Sequence, residues 1–373
     1  MPPDKLHWKH LYEEVVTSGL CTGCAGCVIA CPHDVLGYRD TEGIYRPFQL
    51  EDGYAPDNCS HGEKGCTSCT RACPRFRGWE PEVDEFLFGR TRTDDEVAGI
   101  YHDIVLARAA DPTIAEIGQD GGLVSALLVY ALEHDIIDAA LVSALEGDGS
   151  TWKAVPAIAR TRADVIGTAG SRYTYSANTL AYTKAVEEGA ERIAIVGMSC
   201  QSSVAPVMKQ RRAGKVARRL TLNIGLLCSK TFDDAIFDEL LLARYGLARA
   251  DIRKINIKGV FQVWMRDGTY HEIPLKECHA WTRAGCKLCP DFAAEHADIS
   301  AGGIGKYNDW TLTVVRTPVG RDLMDAMLRD GWIETRPGDD DPDAIALMRR
   351  LSTRSRKRWP AFAAAGPERL PIG

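Results

Sequence analysis

The stretch Cys21-Thr22-Gly23-Cys24-Ala25-Gly26-Cys27-Val28-Ile29-Ala30-Cys31-Pro32 places four cysteines in a C-x2-C-x2-C-x3-C-P run. A second run, Cys59-x6-Cys66-x2-Cys69-x3-Cys73-Pro74, repeats its ending with a longer first gap. Thiolates are soft ligands that select zinc or iron–sulfur clusters. Structural zinc sites pair separated C-x2-4-C units. Both runs instead give three close thiolates to one cube, while a fourth cysteine, followed by proline, turns away toward another.

This is the spacing of bacterial two-cluster ferredoxins. Its crossing rule assigns Cys21, Cys24, Cys27 and Cys73 to one 4Fe-4S cluster and Cys59, Cys66, Cys69 and Cys31 to a second. Residues 1–80 hold eight of the thirteen cysteines and little continuous apolar pattern, which suits a small ferredoxin-like domain held together by its metal rather than by a large core. Thirteen is an odd number, and the first residues mix charges among apolar ones instead of forming a secretory signal. A cytoplasmic protein with metal or redox chemistry is therefore expected. The net charge of −6 gives no footprint for nucleic acid, and no apolar stretch approaches the ~20 residues needed to span a bilayer.

A length of 373 residues allows two or three domains. Pro74 to Pro81 is punctuated by proline and glycine, and residues 81–100 are expected to be a linker. From 101 to 335, β-rich runs (104–109, 136–145, 192–197, 220–228, 312–316) alternate with helical patterns (122–133, 179–188, 232–244, 320–330). The fold class is α+β or α/β, with a mixed sheet at the centre and flanking helices. Asp267-Gly268 predicts a two-residue hairpin turn within 261–273. Residues 336–373 are expected to form a short helix and a tail. Six basic and no acidic residues lie between Arg349 and Arg358, as a solvated helix end or as a contact for an acidic partner or membrane surface.

Five cysteines remain. Cys286-x2-Cys289-Pro290 is by itself redox-active, zinc-binding or iron–sulfur in type. Cys200 and Cys228 each follow a predicted strand, at the carboxyl ends where open α/β sheets place ligands. Read alone, they fit buried small hydrophobes equally well. Gly121-Gly122 opens a helix and lets backbone amides approach a diphosphate, or simply makes a turn before a core helix. Arg172-Tyr173 reads either as a charge and a ring for a cofactor or as a surface pair. Ser125, Ser171, Ser176 and Asn178 offer neutral hydrogen bonds, or helix caps.

In order along the chain, Gln119-Asp120-Gly121-Gly122-Leu123-Val124-Ser125-Ala126-Leu127-Leu128, Gly170-Ser171-Arg172-Tyr173, Val196-Gly197-Met198-Ser199-Cys200-Gln201, Cys286-Lys287-Leu288-Cys289-Pro290-Asp291-Phe292 and Ala297-Asp298-Ile299-Ser300 resemble the motifs of the family of coenzyme F420 hydrogenase/dehydrogenase beta subunits. The resemblance implies an iron–sulfur flavoprotein with FAD beside a third 4Fe-4S cluster on Cys200, Cys228, Cys286 and Cys289. Cys278 is then left over, as a possible substitute ligand. Asp120, Gly121, Gly122, Ser125, Gly170, Ser171, Arg172, Tyr173, Ser176 and Asn178 would hold FAD, with Arg172 and Tyr173 at the reacting ring.

The implied oxidoreductase takes a hydride from reduced coenzyme F420 and passes electrons to a ferredoxin, a quinone-linked acceptor or another redox protein. The alternatives are a ferredoxin-dependent reductase of a chlorophyll-like substrate and a non-catalytic electron relay within a larger complex. A homo-oligomer is compatible with either. Ser199, Lys230 and Gly303 depart from the family pattern near the coenzyme pocket.

Overall fold

The continuous apolar runs become strands of one mixed sheet, because strands covered on both faces carry no polar side. A computed structural model describes residues 5–41 and 43–363; the last ten residues of the expected tail lie outside these. In chain order the strands are β1 (Leu36–Thr41), β2 (Ile44–Gln49), β3 (Asp103–Ala109), β4 (Ala139–Leu145), β5 (Ala154–Ala159), β6 (Ile193–Met198) and β7 (Leu220–Leu226). They continue as β8 (Ile252–Lys258), β9 (Val260–Met265), β10 (Tyr270–Pro274), β11 (Ile299–Gly302), β12 (Thr311–Val315) and β13 (Ile333–Pro337). Eight of them form the central sheet in the order β13-β3-β12-β11-β7-β6-β4-β5. β11, β7, β6 and β4 run parallel at its middle, with antiparallel strands on both flanks. The fold is mixed α/β with flanking helices, as expected.

Helices Leu123–Glu133 and Pro318–Arg329 bury their apolar faces on the sheet through Leu127, Leu323 and Met327. The predicted helix 232–244 starts later. Phe232 bridges to Thr174 and Thr282, and helical turns begin only at Phe237. The hairpin β9–β10 forms, but Met265 N–H reaches Thr269 O across a three-residue loop with Gly268 at φ +91°. Gly268 thus takes the bulge position of a longer turn. β8 completes this small sheet.

Two expectations about domain boundaries are corrected. Residues 81–100 are not a linker: Glu80–Phe88 is a helix, and its Glu80 and Asp84 are buried. Arg92 pairs with Glu80 (3.0 Å), Asp84 (2.6 Å) and Glu295, and Arg356 pairs with Glu80 (3.1 Å) and Glu295 (2.5 Å). Punctuation by proline marked a helix start here, not a spacer. The C-terminal helix is also longer than expected, Pro342–Arg356, and its basic end is partly spent inside the protein. Arg356 is buried, and Arg358 donates to Ser229 O at 2.7 Å.

The N-terminal cysteine module does not stand apart. Ala25, Ile29, Ala30 and Ala72 share one apolar core with Leu141, Tyr175, Ile193 and Val204 of the sheet region. Among the described residues no helix is long and apolar enough to cross a membrane.

Candidate functional site

None of the thirteen cysteines is in a disulfide. Twelve gather into three groups. Cys21, Cys24, Cys27 and Cys73 act on one another in the first. The second brings together Cys31, Cys59, Cys66 and Cys69. The third brings together Cys200, Cys228, Cys286 and Cys289. Cys200 sits in the helical turn Ser199–Ser202 directly after β6, and Cys228 lies two residues past β7. Adjacent parallel strands therefore deliver two thiols to one sheet edge. Cys278 stands apart, buried in the core of the small sheet with Phe232 and Phe261.

The groups adjoin in a row. Cys69 of the second acts on Cys27 of the first, and Cys24 of the first acts on Cys200 of the third. A Cβ on Gly285, beside Cys286, would lie 2.4 Å from Cys21 O, so the ligand loops of the first and third groups touch through backbone. Cys31 and Cys66 of the second group are partly exposed, as are Cys21 of the first and Cys228, Cys286 and Cys289 of the third.

Burial, then neighbouring thiols, pushes Cys200 and Cys69 up to about 12 and Cys21 to about 11. Four such thiols cannot ionise together in an apolar setting unless cations sit among them. Each group has the all-thiolate ligand count of a 4Fe-4S cube. Backbone donors already point at sulfur: Gly62 N to Cys59 Sγ (3.2 Å), Arg75 N to Cys73 Sγ (3.4 Å) and Thr231 N to Cys286 Sγ (3.5 Å). Such bonds tune cluster potential. Cys200, Cys228, Cys286 and Cys289 line one small cavity with Thr22, Tyr175 and Lys230.

Two arginines that sequence reasoning passed over lie between the first and third groups. Arg75 Nη2 donates to Cys289 Sγ at 3.0 Å. Arg283 Nη2 donates to Thr22 O at 3.1 Å, and its guanidinium lies 3.6 Å from the Tyr175 ring centre. Nothing in the cysteine spacing singles either out.

Of the residues expected at the flavin, Tyr173 lies near both Cys228 of the third group and Asp120. Gly121 and Gly122 have φ of +87° and +71°, and Cβ atoms there would strike Asp309 O and Ile114 O at 2.3 Å. The pair is required by close backbone approach at the start of helix Leu123–Glu133, whose first turn carries Ser125. Asp120 pairs with Lys258 of β8 at 3.0 Å, and a Cβ at Gly303 would fall 1.6 Å from its Oδ2. The glycine at 303 thus makes room for the Asp120 carboxylate. A cleft of about 500 Å3 opens beside this loop, lined by Gly118, Asp120, Gly121, Lys254, Asn308 and others.

Tyr173 OH donates to Asn256 Oδ1 at 2.8 Å and accepts from Ile257 N at 3.1 Å, and both Asp120 and Cys228 lie near enough to act on it. Gly170, at φ +93°, and Ser171 precede Arg172, which donates to Ala169 O and Thr168 O. Burial alone lowers Arg172 to about 10. Among the described residues no carboxylate pairs with it. Ser176 and Asn178 turn inward instead: Ser176 bonds Asn178, Asn178 Nδ2 bonds Val196 O, and Gln201 bridges both segments. Their place in the fold is to brace the Cys200 turn.

Three adjoining groups of four cysteines are the arrangement of an electron-transfer oxidoreductase. Residues 104–182 match the model for the N-terminal region of the coenzyme F420 hydrogenase/dehydrogenase beta subunit, and 190–341 match that for its C-terminal region. The chain is 34% identical over 277 residues to the coenzyme F420 hydrogenase subunit beta of Methanothermobacter thermautotrophicus, covering 73% of this chain and 97% of that one. It is 32% identical over 262 residues to the corresponding hydrogenase beta chain of Methanococcus voltae, covering 70% and 93%. With one component of the F(420)H(2) dehydrogenase of Methanosarcina mazei it shares 28% identity over 349 residues, covering 92% and 91%. A chain of the F420-reducing NiFe hydrogenase complex from Methanosarcina barkeri superposes with a TM-score of 0.68 at 29% identity, covering 72% of this chain and 92% of that one. The protein belongs to the family of coenzyme F420 hydrogenase/dehydrogenase beta subunits.

Proposed function

We propose that this protein oxidises reduced coenzyme F420 and delivers the electrons, through FAD and three 4Fe-4S clusters, to a redox protein or complex. The observation that carries the reading is the row of thiol groups. The third group adjoins Tyr173 through Cys228 and the first group through Cys200, and the second group adjoins the first through Cys69.

Bound FAD would accept a hydride as an electron pair and release the electrons singly to one-electron carriers. The chain's own residues supply the setting. Gly121 and Gly122 let backbone approach a diphosphate at the mouth of the cleft. Asp120 and Lys258 fix the loop against β8, with Ser125 and Ser171 as neutral donors. Tyr173 is held by Asn256 and Ile257 close to Cys228. Arg172 brings a positive charge with no carboxylate, which an anionic reduced flavin ring would balance. Positioning and exclusion of water, rather than a general acid or base, are the protein's contribution.

Relatives named as parts of a hydrogenase and a dehydrogenase favour work within a larger assembly. Anaerobic purification followed by titration with reduced F420 tests the reading. About twelve irons per chain, bound FAD and bleaching of the flavin by reduced F420 are expected. Near-stoichiometric zinc with little iron, or bleaching by NADH but not by reduced F420, would overturn it. Arg172→Ala should keep the iron, lower the flavin potential and slow the bleaching; an unchanged rate rejects that residue's role.

A further inference from the structure

We propose that Arg75 couples the two redox modules, its fixed positive charge lying between the first thiol group and the third and raising the potential of the cluster held by Cys200, Cys228, Cys286 and Cys289. The inference rests on the proposed iron–sulfur reading and names the residue that sets the energetics of its inner step.

Arg75 belongs to the N-terminal module by sequence and to the sheet module by contact. Its backbone N–H donates to Cys73 Sγ of the first group at 3.4 Å, while its Nη2 donates to Cys289 Sγ of the third at 3.0 Å. One residue thus touches a ligand of each group. It is only 4% exposed. Arg92 and Arg356, which are similarly buried, each sit against two or three carboxylates. Arg75 has no carboxylate in ion-pair contact among the described residues, and its Nε has no hydrogen-bond partner among them.

A buried cation is costly unless opposite charge lies close to it. The atom its guanidinium touches is the Cys289 sulfur, and the Asp291 carboxylate, two residues further on, is near enough to act on it as well. The guanidinium is therefore set directly against a ligand sulfur of the third group. Adding one electron to a cube adds one negative charge and breaks no bond. A cation in contact with a ligand sulfur stabilises the reduced form and raises the potential, by the same charge and hydrogen-bond levers that spread cluster potentials in general. When the electron moves on, the third cluster is oxidised by one electron and the first reduced by one. The side-chain charge of Arg75 meets a ligand of the third group only, while its backbone N–H meets one of the first. It is a positioning and tuning residue; no atom of it is transferred.

The test compares full-length wild type, Arg75→Lys and Arg75→Gln, prepared anaerobically. Iron is counted first: wild type far below twelve irons per chain counts against the cluster reading itself, not against Arg75. Cluster midpoint potentials are then read by EPR-monitored redox titration. In the Gln variant one cluster is expected to fall by at least tenfold in its one-electron equilibrium, 59 mV, with the Lys variant close to wild type. Unchanged potentials in the Gln variant at full iron overturn the proposal. If the Gln variant loses iron, Lys decides: full iron and a wild-type potential uphold the role of charge, whereas a Lys variant that also loses iron, or shifts as far as Gln, overturns it.

Discussion

Asp120 and Gly303 occupy one space. Because a Cβ at 303 would sit 1.6 Å from Asp120 Oδ2, Gly303→Ala must push the carboxylate away from Lys258. Overpacking of this kind costs about 1–3 kcal/mol, so a lower melting temperature and slower flavin reduction are expected. A variant with wild-type melting and wild-type stopped-flow rates would show that the loop can give way freely. The cysteines were legible at this scale because ligand spacing is local and every position of the two ferredoxin-type runs lies within a few residues of the next. Arg75 and Arg283 were not, since their significance comes from thiols and rings that the chain supplies far from them in sequence. Ser176 and Asn178 show the converse: polar residues in a promising segment, spent on bracing a neighbouring turn.

Among elements, two helices and one loop meet in a single buried ion cluster. Helix Glu80–Phe88 brings Glu80 and Asp84, helix Pro342–Arg356 brings Arg356, and the loop before β11 brings Glu295 and His296, with Arg92 among them. Removing one partner of such a cluster leaves a buried charge unpaired. Arg356→Met should therefore cost about 3–5 kcal/mol, and part of that cost should disappear on adding Glu80→Gln, as chemical denaturation of both singles and the double would show. Strict additivity would mean the two side chains do not work together.

The cluster also predicts a pH dependence. Burial raises the Asp84 carboxyl, but the bonds from Arg92 and His296 outweigh it and hold the group well below the usual carboxylate range. A depressed folded value gives stability that is complete above the unfolded value near 3.9 and is lost as the pH falls toward the folded one. Asp84→Asn should thus be less stable than wild type at pH 6, with the gap narrowing below about pH 4. A gap that stays constant on acidification would contradict this. Proline and glycine around residue 78 read as a linker because local punctuation carries no information about which distant carboxylates need an arginine.

For the whole molecule, the N-terminal module and the sheet share a core, so they should not behave as separable units. Deleting residues 1–80 would uncover Leu141, Tyr175 and Val204 and remove Arg75 from Cys289. The truncated chain is expected to aggregate, or to lose iron from the Cys200 group, on size-exclusion with metal analysis. A monodisperse fragment retaining four irons would instead restore the independent-domain picture drawn from the sequence. The central strands were legible because parallel strands buried on both faces need unbroken apolar runs. β5, β8, β11 and β13 were not read as strands: β5 carries a proline, β11 is only four residues long, and β8 and β13 carry charged residues.

Residue type and short spacing were enough to establish the cysteine inventory, its division into local runs, the mixed α/β class and the family motifs, because folding alters none of these. Two further facts came from tertiary packing: the third thiol group abuts the first, and the supposed linker and tail lock into one buried ion cluster. These are contacts between residues far apart in the chain. Their partners are chosen by packing and by the cost of leaving buried charge unpaired, neither of which local spacing encodes.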